Sequence, residues 1–153
     1  MFDAKHFCHC ASLRMGCFII AIITMFLSVA FTKFILVFYG IKYPGNKKGS
    51  KDDHTFLLLH LVPEIPVLGS SLILIIHEIY AKSVLILIFV TINGIHIIYI
   101  IVISIVSYLM GKNIVLNFAE VWFHVYWSFC LIRIATTIYF IYIALSRWKQ
   151  IRN

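Results

Sequence analysis

Three groups of side chains have types and spacings that support chemistry. At the N-terminus His6, Cys8, His9 and Cys10 crowd together, and Cys17 follows at the start of an apolar run. Thiolate and imidazole are zinc ligands, but structural zinc sites separate their cysteines by about two to four residues and take four ligands from a folded frame. Cys8-x-Cys10 is tighter than that, so no metal and no cofactor is expected. Cysteines beside an apolar run are also acceptors for a thioester-linked acyl chain. Cys8, Cys10 and Cys17 are therefore candidate acylation sites, with plain reduced thiols as the alternative. Four cysteines without a partner in the polar segments do not make a disulfide framework.

The second group is a set of polar residues inside apolar runs: Glu64, Asn93, His96 and Arg133. Arg133 lies twelve residues into the run that opens at Val121, roughly 18 Å along a helix. An arginine at that depth in a bilayer costs about 2.5 kcal/mol or more unless it faces protein and finds a partner. By rise per residue, Glu64 and His96 reach a similar depth, and Arg133 falls within about one helical turn of them. The expected arrangement is a Glu64–Arg133 pair with His96 and Asn93 beside it. Such a cluster has two uses: it fixes helix order and register, or it lines a relay for a proton or substrate. His60, His77 and His124 fall nearer the ends of their runs, where an imidazole needs no special role.

The third group is catalytic in type and does not hold together. Cys130 and His124 are six residues apart on a helix, on largely different faces. Ser70 and Ser71 have no His and acid to activate them, and no phosphate-binding loop or internal repeat is visible. An enzyme is not expected.

The elements that must position these residues are membrane spans. Of 153 residues, 62% are hydrophobic and only 12% charged, too little polar surface to cover a soluble core; mean hydropathy is +0.99. The net charge of +7 does not indicate nucleic-acid binding, because the basic residues sit between and beside the apolar runs, where they anchor helix ends at headgroups. The expected fold is an all-α, polytopic four-helix bundle forming one domain over residues 1–153. Its spans fall at about 15–38, 56–76, 84–110 and 121–145, with a polar loop over 39–54. Met15 to Thr32 carries no charge, and at eighteen residues it approaches the length that crosses a bilayer core. Ser28-x-Ala30 resembles a signal-cleavage site, yet the apolar stretch continues to Phe38, so the first span is read as uncleaved. Pro63 and Pro66 each remove a backbone donor, which predicts a kinked or broken second span. His77 to Ser83 is read as a tight polar turn, and aromatic residues at both ends of the fourth run suit the headgroup level. Lys and Arg divide six and six between the two sides, so the positive-inside rule gives no orientation.

One stretch carries a family likeness. Phe7-Cys8-His9-Cys10-Ala11-Ser12-Leu13-Arg14-Met15-Gly16-Cys17, followed by Ile19-Ile20-Ala21, resembles the opening of the lysosome-associated transmembrane (LAPTM-like) tetraspan family, especially its short insect-type members. Those begin with a cysteine-rich box, a Leu/Val-Arg-Thr-Gly motif and an isoleucine-rich first helix. The likeness covers those residues and, loosely, the four-span layout. It implies cytosolic termini, with loops 39–54 and 111–120 in the lumen or outside the cell. It also implies a role at endosomes and lysosomes in sorting, or at the plasma membrane in cell-junction assembly. Met15 replaces the family's threonine, and the chain has no Pro-Pro-x-Tyr motif.

Two functions are weighed on these grounds. One is a non-enzymatic tetraspan that organises or traffics other membrane proteins, with the lipid bilayer and a homo- or hetero-oligomer as its surroundings. The other is a small transporter or channel using Glu64, His96 and Arg133 at mid-membrane. A pathway requires a cavity that reaches one side of the membrane; a closed bundle does not.

Overall fold

A computed structural model describes residues 12–43, 51–80, 82–111, 115 and 120–152. Five helices run in order: α1 (Leu13–Lys42), α2 (Lys51–Leu61), α3 (Glu64–Tyr80), α4 (Ser83–Leu109) and α5 (Glu120–Arg152). No strand occurs among the described residues. α1 starts where Ser12 caps it, the Ser12 hydroxyl accepting from the Met15 backbone N–H at 3.3 Å, which satisfies one of the free donors of the first turn. Its buried positions Leu13, Cys17, Ile20, Thr24, Ser28, Phe31, Ile35 and Phe38 recur every three or four residues and form one stripe. Phe18, Ile22, Phe26, Val29 and Val37 face outward. α4 closes at Gly111, whose φ of 64° is the left-handed conformation that ends helices and favours glycine.

α2 and α3 form one broken span, His54–Tyr80. Pro63 has no N–H to offer the Leu59 carbonyl four residues back. The Tyr99 hydroxyl of α4 donates to that carbonyl instead, at 2.7 Å. Pro66 falls in the first turn of α3, where its missing N–H would have had no helical partner in any case. The expected break in this span is therefore observed, and it places Glu64 at the first position of α3. There the positive end of the helix dipole favours its carboxylate.

The four long segments close into a ring: α1 packs on α3, α3 on α4, α4 on α5 and α5 back on α1. Four helices are long and apolar enough to span a bilayer, and large apolar side chains such as Phe26, Ile79 and Leu109 point outward around them. Outward-facing side chains of that kind are stable in lipid and not in water. The chain is an integral membrane protein in contact with the bilayer. Two apolar clusters fill the ring. One, around Cys17, Ile20, Leu74, Phe89, Phe140 and Ile143, lies where α1 begins and α5 ends. The other, around Phe31, Ile35, Phe56, Ile100 and Tyr126, lies at the opposite end.

The helices outlast the apolar runs that predict them. α1 continues through Lys42 rather than stopping at residue 38 and α2 begins at Lys51, so both ends of the expected 39–54 loop are helical, and α5 continues through Arg152 rather than 145. Backbone hydrogen bonds carry a helix past the hydrocarbon edge as long as its charged residues can reach headgroups or water. The expected turn at His77 is shorter than the sequence suggests. α3 runs to Tyr80, and both His77 and Glu78 are buried against the bundle.

Candidate functional site

Between the two apolar clusters lies a buried polar layer to which each side of the ring contributes. Glu64 of α3 is its centre. Arg133 of α5 binds it through two parallel hydrogen bonds, Nη1 to Oε1 at 2.7 Å and Nη2 to Oε2 at 2.5 Å. Ser28 of α1 donates to Oε2 at 2.6 Å, and His96 Nε2 of α4 donates to Oε1 at 3.2 Å. A carboxylate offers about four lone-pair sites, and here four donors occupy them. The Arg133 and Glu64 side chains are 5% and 3% exposed. Their charges cancel, so no net charge is buried, and two-point geometry is the form in which a buried ion pair best offsets its desolvation. On its other side the Arg133 guanidinium stacks over the Phe31 ring, 5.0 Å from the centroid, a cation–π contact that desolvation strengthens. Thr137 donates to the Arg133 carbonyl one turn back.

Of the four residues expected at this depth, Glu64, His96 and Arg133 meet directly. Asn93 does not join them. One turn from His96 on α4, it donates to Ser70 of α3 at 3.0 Å and to the Phe89 carbonyl at 2.9 Å, a separate tie between α3 and α4. Ser70 and Ser71 both donate to the Val67 carbonyl.

A second polar chain lies within the apolar cluster at the loop end. His60 Nδ1 bonds to the Phe56 carbonyl at 3.0 Å, and because a carbonyl only accepts, that nitrogen carries the proton. Nε2 is then free to accept from the Tyr126 hydroxyl at 3.2 Å, and Ser104 lies 2.8 Å from the same oxygen. His60, Tyr126 and Ser104 join α2, α5 and α4, and all three are buried. His60 is thus not the unassigned interfacial imidazole of the sequence reading. Its spacing from Phe56, four residues on one helical face, is the signal that marks it. Ser28 was open to discovery in the same way: with Thr24 it forms an i, i+4 pair of polar residues on the buried stripe. His124 is exposed and Cys130 is buried, so those two stay apart.

The acylation candidates divide. Cys17 is fully enclosed in the apolar cluster with Leu13, Ile20 and Ala21. An acyl chain on that sulfur would have to displace the core, and Cys17 is corrected from candidate to structural thiol. Cys8 and Cys10 lie outside the described residues. Among the described residues no group of three or more His, Cys, Asp or Glu converges as metal ligands.

Among the described residues, grooves between helices include one of about 460 Å³ between α1 and α3, one of about 220 Å³ between α2 and α4, and one of about 250 Å³ between α3 and α4. The last is lined by Pro63, Pro66 and Ile95, with His96 at its wall. Compared with protein-family models, with curated proteins and with solved structures, the chain matches none.

Proposed function

We propose that this chain is a non-enzymatic four-span protein that works through lateral contacts, organising or trafficking other membrane proteins. The buried pair serves as its internal lock. One observation carries the reading: every acceptor site of Glu64 is already filled by Ser28, His96 and Arg133. A carboxylate in that state has no lone pair left to act as a base or to hold a cation. On one side along the bundle axis lies an apolar cluster, and on the other a cluster whose His60–Tyr126–Ser104 chain is bonded within itself. With the interior committed to holding helices together, recognition falls to the outer faces. The likeness of residues 7–17 to the LAPTM-like family supports endolysosomal sorting or cell-junction assembly as the setting, with cytosolic termini.

A small transporter is the second reading, and the groove between α3 and α4 that reaches His96 favours it. Proximity labelling of a tagged chain, combined with localisation and protease protection of its termini, separates the two. Organisation predicts a reproducible set of labelled membrane proteins from one compartment and protected lumenal loops. A labelled set no different from that of an unrelated four-span protein overturns it.

A further inference from the structure

Away from the central cluster, the groove between α1 and α3 has the chemistry of a lipid site. It lies at the end of the bundle where α1 begins and α3 ends, the level at which headgroups meet hydrocarbon. Met15 and Phe18, one turn apart on α1, face Ile75 and Ile79, one turn apart on α3, across about 460 Å³. That volume is in the usual range for ligand sites, about 300–1,000 Å³. Arg14 and Glu78 stand at its polar end.

Glu78 is the unusual member. Its side chain is 8% exposed, and among the described residues neither carboxylate oxygen has a hydrogen-bond partner. Arg14 lies across it with Nε at 3.5 Å, while Arg14 Nη2 bonds to the Glu78 backbone carbonyl at 3.1 Å, one of the last carbonyls of α3 that helix geometry leaves open. His77 Nδ1 is engaged by the Lys82 carbonyl at 2.8 Å, and its Nε2 stands 3.5 Å from Glu78 Oε1, too far for a well-formed hydrogen bond. The Cys17 thiol beside Glu78 is a weak donor only. A buried carboxylate without N–H or O–H donors is costly, and the group that satisfies it must bring both positive charge and donors. The Arg14 side chain is 68% exposed, so an incoming ammonium can take its place at the carboxylate. Arg14 can turn outward toward an anion and uncover the carboxylate.

The geometry points to a phosphatidylethanolamine site: an acyl chain in the apolar groove, the phosphate on the Arg14 guanidinium, and the primary ammonium donating to Glu78. Charge complementarity distinguishes this lipid from its glycerol and choline counterparts. Phosphatidylglycerol has no cation for Glu78, and phosphatidylcholine has a cation with no N–H to donate.

Native mass spectrometry of the purified full chain, loaded with lipids of identical acyl chains, tests the assignment. Across phosphatidylethanolamine, its N-methyl and N,N-dimethyl forms and phosphatidylcholine, retention by the wild type falls as N–H groups are removed, by about tenfold end to end, the scale of one charge-assisted hydrogen bond. Glu78→Gln flattens that series, whereas Arg14→Gln weakens every phospholipid alike. Equal retention of the ethanolamine and choline lipids by the wild type overturns the proposal, as does a preference that survives Glu78→Gln or a stronger retention of phosphatidylglycerol. Should Glu78→Gln fail to fold, the methylation series on the wild type decides alone.

Discussion

Removing Arg133 would leave the Glu64 carboxylate without its counter-charge in a layer closed by apolar side chains above and below. Breaking a buried pair by deleting one partner costs about 3–5 kcal/mol, far more than the pair's net contribution, because the surviving charge is stranded. Glu64→Gln and Arg133→Met are each expected to lose about that much in detergent unfolding, whereas the double variant loses markedly less than the sum. Additive losses would mean that the two side chains do not act as a unit. Ser28→Ala removes one donor and leaves the charges balanced, so its cost is about 1–2 kcal/mol. At this scale the sequence was partly legible. Depth arithmetic brings Glu64, His96 and Arg133 to one level, because a helix rises evenly and a charge in lipid demands a partner. Ser28 was legible as a polar position, four residues from Thr24 on one face, but its partner was not, since a hydroxyl in an apolar run can satisfy itself on its own helix carbonyls. Asn93 misleads for a related reason: it finds Phe89 and Ser70 closer to hand.

At the scale of the element, the break between α2 and α3 determines where Glu64 can point. Pro63 orphans the Leu59 carbonyl, and Tyr99 satisfies it from α4, so a local defect becomes a contact between helices. Tyr99→Phe leaves that carbonyl without a donor and lowers stability by about 1 kcal/mol. In a Pro63→Ala background the restored N–H supplies the missing bond, and the same Tyr99→Phe change becomes nearly silent in thermal melts. An equal cost in both backgrounds would show that the hydroxyl acts elsewhere. Proline makes such breaks readable in a sequence, because the loss of an N–H is a property of the residue type. Helix ends are less readable. Lys42 and Arg152 are helical although apolar periodicity stops short of them, since a helix end is set by where its polar side chains reach headgroups. His77 and Glu78 have the composition of a turn, yet they are buried through contacts to α1 and to Lys82 that lie far from them in sequence or beyond the helix end.

For the whole molecule, the four-span bundle is legible because lipid leaves so few alternatives: backbone donors and acceptors must be satisfied by the protein, chiefly within each span, and four apolar runs become four helical spans. What the bundle presents to other proteins is written in outward-facing Phe, Ile, Leu and Val side chains whose composition is shared by any lipid-facing surface, so partners leave no pattern in one sequence. The division of labour proposed for this chain, a locked interior and a recognising exterior, makes a sharp distinction here. The measurement that tests it most directly is proximity labelling of the Glu64→Gln/Arg133→Met double variant beside the wild type, in the same cells and at matched expression. The account predicts that the variant reaches the same compartment and labels the same neighbours, because neutralising the lock leaves the outer faces in place. A variant that folds and localises normally yet loses those neighbours would contradict it, and would place the buried charges in the function itself.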